Sequence, residues 1–193
     1  MATLLSLHTP RPAAVDALRG ERASVMVQVL GIAGFALLTA LGAQVRLYLW
    51  EVPFTLQTVA VYGSGLFLGW RNGLLAQLLY LTLGLFLPVY AGDTFGPAYL
   101  FGAVTAGYLL AYPLAAAVTG LLSKRWNTLA GSTLAMLAGS LVLFSLGVAW
   151  LHAAAGHATW LESLERGWLP FIPVDLAKIL FVGLVYAGVR RLR

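Results

Sequence analysis

Polar and apolar positions segregate into long blocks along this chain. No charged residue occurs in Ala23–Val45, Val52–Trp70, Gly73–Val89, Ala98–Leu122 or Thr128–Leu151. A sixth apolar block, Phe171–Val189, is interrupted only by Asp175 and Lys178. Each block is about the length a helix needs to cross the roughly 30 Å hydrocarbon layer of a bilayer, some 20 residues. The pattern therefore predicts six spans. The connections carry charge or turn chemistry: Arg46–Glu51, Arg71-Asn72, the Gly- and Pro-bearing Ala91–Pro97, and Lys124-Arg125. Residues 152–169 mix His152, His157, Glu162, Glu165 and Arg166 with apolar residues and read as an interfacial helix. Residues 1–22 read as a mostly disordered cytoplasmic tail with an interfacial turn around Ala13–Leu18. Its apolar run before Arg11 is too short for a signal-peptide core. Residues 23–193 form the membrane domain.

Composition sharpens this picture. The chain has 193 residues, 60% hydrophobic and 10% charged, against roughly 25% charged in a soluble domain. The expected fold class is an all-α integral membrane protein of six transmembrane helices, multi-pass in the plasma membrane. A pI near 9.8 would suit nucleic acid, but the basic residues lie between and beyond the apolar blocks, as membrane topology requires. No nucleic-acid partner is expected. With six spans both termini share one side. That side carries Arg11, Arg19, Arg22, Arg71, Lys124, Arg125, Arg190, Arg191 and Arg193, and the other only Arg46 and Arg166. Nine against two places both termini in the cytoplasm. Trp50, Trp70, Trp126, Trp150, Trp160 and Trp168 fall near span ends, where an aromatic belt belongs. The absence of cysteine excludes thiol chemistry and Cys-ligated metals.

The candidate chemistry gathers on the outer side. Pro173 suits the first turn of the last span, and Asp175 and Lys178, three residues apart, share one helical face. A charge within a span costs roughly 2.5–3.5 kcal/mol on insertion scales and usually faces the protein interior. The pair is either a self-neutralising packing element or a ligand site. The second span starts Val52-Pro53-Phe54-Thr55-Leu56-Gln57-Thr58, where Gln57 offers two donors and an acceptor. Asp93 sits in the outer glycine-bearing turn, and Gly107 and Tyr108 stand near the same level. Together these predict a pocket open to the outer medium. Small residues at four-residue spacing, Ala36/Ala40, Gly65/Gly69 and Gly131/Ala135/Gly139, predict close helix approach. Enzyme signals are poor. Gly63-Ser64-Gly65 is similar to the serine of intramembrane proteases, but Tyr62 precedes it and no histidine lies within a span. His152 and His157 are about 140° apart around a helix, a poor metal pair, and there is no P-loop. No cofactor or metal is expected. An intramembrane serine hydrolase using Ser64 and a ligand-free scaffold stand as alternatives to a binding protein.

The ordered set Val-Pro-Phe-Thr-Leu-Gln-Thr (52–58), Leu-Pro-Val-Tyr-Ala-Gly (87–92), Gly-Tyr-Leu-Leu (107–110) and Pro-Val-Asp-Leu-Ala-Lys (173–178) resembles the BioY family, the biotin-binding S components of energy-coupling factor (ECF) transporters. The resemblance covers about residues 25–190. It implies a six-helix protein that captures biotin at the outer face and works with a transmembrane T component and a pair of ABC-type ATPases. It implies biotin contacts at Asp175 and Lys178 and partner docking through Ala36 and Ala40 on the first span. Gln57, Asp93 and Tyr108 are expected to join the biotin site from their positions at the outer face, although Asp93-Thr94-Phe95 stands where relatives commonly have glycines. Relatives often read Gly-Pro-Thr-Gly-Gly-Tyr where this chain has Gly102–Tyr108, and some follow that tyrosine with a basic residue where this chain has Leu109. Lys178 is left as the partner for the ligand carboxylate.

Overall fold

The structure is a computed structural model that describes residues 18–19, 23–48, 51–125 and 128–191. In chain order the elements are α1 (Val25–Gln44), β1 (Arg46–Leu47), β2 (Phe54–Thr55), α2 (Gln57–Leu83), α3 (Pro97–Gly102), α4 (Ala106–Ser123), α5 (Leu129–Ala155), α6 (Trp160–Gly167), a 3-10 turn (Leu169–Phe171) and α7 (Ile172–Arg191). Hydroxyl caps open three helices. Ser24, Thr128 and Thr159 accept from the backbone N–H groups of Val27, Gly131 and Glu162 at 3.3, 3.0 and 3.2 Å, satisfying donors that have no intrahelical partner. Gly156, at φ 66°, closes α5 in the left-handed region that glycine adopts freely.

The second and third expected spans are the two arms of α2. The chain reverses at Gly69 (φ 80°, ψ 176°) rather than at Arg71-Asn72, which begin the returning arm. Gln57 Nε2 donates to Tyr80 Oη at 2.7 Å and Gln77 Nε2 to Ser64 Oγ at 3.1 Å. On one straight helix those pairs would stand roughly 35 and 20 Å apart. The arms, 57–68 and 70–83, are each only roughly 20 Å long, short of the bilayer core. The ribbon strand before Gln57 and a run of turns after Leu83 lengthen the two arms. Non-helical backbone at that depth is tolerated where it is buried in protein or lines a cavity, and Val52, Pro53, Thr55 and Ala91 all line one. The expected loop after α1 is a small ribbon, with Arg46 paired to Thr55 and Leu47 to Phe54. Leu56 N–H also donates to Gly42 O at 3.0 Å, which occupies a carbonyl at the end of α1.

Six helices thus cross: α1, the two arms of α2, α4, α5 and α7. Among the described residues, four stretches are apolar and long enough by length and composition alone: Val25–Gln44, Ala106–Ser123, Leu129–Ala155 and Trp160–Arg190. The expected fourth span is broken. α3 ends at Gly102, Ala103 is extended, and its carbonyl accepts from the Ala106 N–H and from Trp150 Nε1, each at 3.0 Å. α2 packs on α1 and α4, α4 on α5, and α7 bridges α2 and α5. Hydrocarbon gives no hydrophobic drive between helices, so close approach and buried polar contacts hold them. A Cβ at Gly65 would overlap the Ala116 carbonyl of α4. Thr39 Oγ1 reaches Gln77 Oε1 at 3.3 Å, and such contacts are worth about 0.6 kcal/mol each. The outer surface is apolar, with Leu30, Leu41, Phe181 and Leu184 all more than half exposed.

The small-residue seam on α1, expected to dock a partner, faces the bundle in this chain. Ala36 has no exposed surface, and Ala40 packs against the core beside buried Thr39 and Ala43. That stripe is the one α2 needs for close contact. Leu37, Leu38 and Leu41 carry the outward face instead.

Both ends of the described chain meet at one end of the bundle. Arg19 Nε donates to Leu66 O at 2.9 Å, Arg19 Nη2 donates to Ser123 Oγ at 2.6 Å, and Arg19 and Arg190 both stand over the Tyr186 ring. The reversal at Gly69 explains the first contact, because the Leu66 carbonyl sits in the last turn of its arm. Arg19 is therefore anchored, where the tail was expected to be disordered. The rest of the expected tail turn apart from Leu18, and also Trp50, Trp126, Arg11, Arg22 and Arg193, lie outside the described residues.

Candidate functional site

The end of the bundle opposite Arg19 and Arg190 holds a narrow, half-open cavity of about 60 Å³. The extended Val52–Thr55 segment forms one wall. Gln57 and Thr58 open α2 beside it, Tyr108, Leu109 and Tyr112 come from the start of α4, Leu143 and Phe144 from α5, and Asp175 and Lys178 from the first turns of α7. The broken fourth span also admits Thr105. The apolar lining is largely aromatic. Phe171 stacks on Phe54 with centroids 4.2 Å apart and leans on Phe144 at 5.9 Å, and Tyr108 meets Phe144 edge-on at 6.1 Å.

Asp175 and Lys178 share this cavity but do not pair. The Lys/Arg–carboxylate ion pairs among the described residues are Arg46–Asp93, Arg166–Glu51 and Arg166–Glu162. Asp175, almost fully buried, accepts from Tyr62 Oη at 3.0 Å (Oδ1) and 3.2 Å (Oδ2), and from Ser140 Oγ at 2.6 Å (Oδ2). Lys178 Nζ donates to Thr55 O at 2.6 Å and Thr58 Oγ1 at 3.2 Å. The ribbon is what turns the Thr55 carbonyl toward the lysine. An ammonium has three donors and an ionised carboxylate about four acceptor positions, so each group keeps capacity for a ligand.

Gln57 is buried, with Oε1 accepting from Thr55 Oγ1 at 2.9 Å and Nε2 donating to Tyr80. Tyr108 lines the cavity and donates to Gly167 O at 2.9 Å, tying α4 to α6. Asp93 is not brought to this site. It lies in the left-handed region at φ 55°, its side chain is 69% exposed, and it pairs with Arg46 at 3.2 Å. Its loop folds back over Gly84 through Tyr90, which directs the Asp93 carboxylate to the surface. The sequence reading missed Tyr112, Phe144, Phe171 and Thr105 on the wall and Tyr62 and Ser140 behind Asp175. A tyrosine and a serine in the middle of apolar blocks were the available signal.

Beside the mouth, Arg166 of α6 donates to Glu51 at 2.6 Å and pairs with Glu162 at 2.9 Å. The backbone N–H of Glu51, and then Arg166, hold the Glu51 carboxyl below the usual carboxylate range. His152 and His157 both reach Ser163 Oγ, at 2.9 and 3.0 Å. The helical-wheel separation does not apply to them because α5 ends at Ala155, before His157.

Ser64 is fully buried. It donates to Val61 O at 2.7 Å and accepts from Gln77, and among the described residues no histidine contacts it. It holds the α2 hairpin together.

A family model described as the BioY family matches residues 16–193. The chain belongs to the BioY family. Among BioY relatives it is 37% identical over 148 residues to the probable biotin transporter BioY of Pyrococcus horikoshii, covering 76% of this chain and 86% of that protein. It is 33% identical over 168 residues to the biotin transporter BioY of Thermotoga maritima, covering 86% and 98%. With the biotin transporter BioY of Rhodobacter capsulatus it shares 35% identity over 173 residues, covering 82% and 90%. A solved structure described as the S-component for biotin from an ECF-type ABC transporter has the same fold. Its TM-score is 0.78 at 23% identity, over 86% of this chain and 92% of that one. The BioY family is one of multi-pass membrane transporters, not enzymes, so the serine-hydrolase alternative is set aside.

Proposed function

We propose that this chain is the substrate-binding S component of a biotin uptake system, capturing biotin in the Asp175–Lys178 cavity. The observation that carries the reading is a carboxylate and an ammonium on one cavity wall, each held by separate protein partners and each with spare hydrogen-bonding capacity. Biotin presents a carboxylate and a ureido ring with two N–H donors. The remaining ammonium donor of Lys178 meets the carboxylate, and Asp175 accepts from a ureido N–H. The aromatic walls enclose the thioether ring and the aliphatic chain, and Gln57 and Tyr108 complete the polar lining.

The cavity end carries Arg46 and Arg166, both paired to carboxylates, while Arg19, Arg71, Lys124, Arg125 and Arg190 lie toward the other end. By the positive-inside rule the cavity then faces outward and the termini are cytoplasmic. The sequence has no P-loop, so inward release draws on partners: an ECF transmembrane T component and a pair of ABC-type ATPases.

The test is radiolabelled biotin binding to detergent-purified protein, wild type beside Lys178→Ala. A charge-assisted hydrogen bond is worth about 1.5–3 kcal/mol, so the variant loses affinity by roughly tenfold to a hundredfold. Failure of folded wild type to bind biotin refutes the reading.

A further inference from the structure

We infer that Tyr62 and Ser140 are positioning residues for ligand recognition: they clamp Asp175 as an ionised acceptor aimed into the cavity. The inference rests on the biotin reading above and extends it to two residues that lie behind the cavity wall.

Neither Tyr62 nor Ser140 lines the cavity, whereas Asp175 does. Tyr62 is fully buried at mid-arm in α2, and Ser140 is buried in α5. They approach the α7 carboxylate from two sides. Ser140 Oγ stands 2.6 Å from Oδ2, the short spacing of a hydroxyl donating to a charged oxygen. Tyr62 Oη spans both oxygens at 3.0 and 3.2 Å. The single Tyr62 O–H is shared between the two oxygens and is nearer Oδ1, and Ser140 donates to Oδ2, so two donors serve about four acceptor positions and capacity is left for a ligand N–H. The clamp also fixes the rotation of the carboxylate, because hydroxyls from two different helices hold it. Of the other titratable groups facing Asp175 among the described residues, Lys178 is one turn along α7 and is engaged by Thr55 and Thr58, and Tyr112 of α4 is within electrostatic reach. The carboxylate therefore relies on hydroxyl donors rather than on a direct ion pair. Two consequences follow for the ligand. The site favours an N–H donor at Asp175 over a carboxylate or carbonyl, and recognition weakens when Asp175 takes up a proton, because the charge-assisted bond is lost.

The experiment measures equilibrium binding of radiolabelled biotin to the purified full-length protein between about pH 4 and pH 8. The proteins are wild type, Tyr62→Phe, Ser140→Ala, Ser140→Thr and Asp175→Asn, with ligand-free melting temperatures recorded alongside. Removing a hydroxyl donor favours the protonated carboxyl, so binding by Tyr62→Phe and Ser140→Ala should fail at higher pH on the acid side than binding by wild type. At neutral pH each should weaken binding by about three- to tenfold. Ser140→Thr keeps a hydroxyl and should retain the wild-type profile. Wild-type affinity with an unmoved acid limb in both Tyr62→Phe and Ser140→Ala overturns the inference. So does a uniform loss that leaves the acid limb unmoved and that Ser140→Thr shares, since that is the mark of a merely structural role. Asp175→Asn keeps an oxygen acceptor but no charge: binding like wild type overturns the ionised-acceptor inference, loss of binding by this variant alone overturns the clamp, and failure of folded wild type to bind biotin refutes the reading on which both rest.

Discussion

Replacing Gly69 by alanine isolates the backbone cost of the hairpin on which the site depends. Gly69 sits at φ 80°, ψ 176°, and a Cβ built there meets nothing within 4 Å. The substitution therefore adds no collision and removes no contact. What remains is the cost of holding an L-residue in a region essentially restricted to glycine, about 1–3 kcal/mol. Gly34 is the matched control. Its Cβ also meets nothing within 4 Å, but it lies inside α1 with no positive φ. There alanine should be neutral or stabilising by about 0.5–1 kcal/mol through chain entropy. Thermal and detergent-titrated unfolding of the purified proteins would read the difference, with Gly69→Ala destabilised and Gly34→Ala unchanged or stabilised. Biotin affinity of the folded Gly69→Ala fraction should stay at the wild-type value, since Gly69 lies at the far end of the bundle from the cavity. Equal shifts in the two variants would refute a positive-φ reversal at Gly69, and with it the antiparallel arms that bring Gln57 to Tyr80.

Three further outcomes are expected. Asp93→Asn should leave biotin affinity unchanged and stability within about 1 kcal/mol, because the exposed Arg46–Asp93 pair is a surface ion pair remote from the cavity wall; a tenfold loss of affinity would return Asp93 to the site. Ser64→Ala should bind biotin normally but unfold more easily by roughly 1–3 kcal/mol, since the buried Gln77 amide loses its acceptor; loss of binding by the folded variant would contradict a structural role. The depressed Glu51 carboxyl contributes stability that is complete above its unfolded value of about 4.3 and is lost as pH falls through the lower folded value. Melting temperature should accordingly drop on acidification below about pH 4.3 in wild type, and by less in Glu51→Gln; parallel profiles would show that Glu51 contributes nothing to the acid sensitivity.

Length and order of the apolar blocks were enough to determine the membrane class, the number of crossings and the common side of both termini. Those properties follow from the bilayer's thickness and from its intolerance of unpaired charge, and both act on the chain one segment at a time. The chemistry of Asp175, Lys178, Gln57 and Tyr108 was legible for the same reason, because polar groups within or beside apolar blocks stand out against their surroundings. What hydropathy could not resolve was how each crossing is made. Val52–Trp70 and Ala98–Leu122 read as continuous helices, yet one begins as extended chain and the other breaks at Ala103, since hydropathy does not tell helix from strand in a segment that lines a cavity. Only the tertiary structure decided that Ala36 packs inside the bundle, because a small-residue stripe looks the same whichever surface it meets. It also decided that Asp93 turns away to Arg46, and that Asp175 and Lys178, neighbours in sequence, answer to Tyr62, Ser140, Thr55 and Thr58 instead of to each other. Those contacts join residues up to 123 positions apart, and they arise where separate helices converge, which no local pattern records.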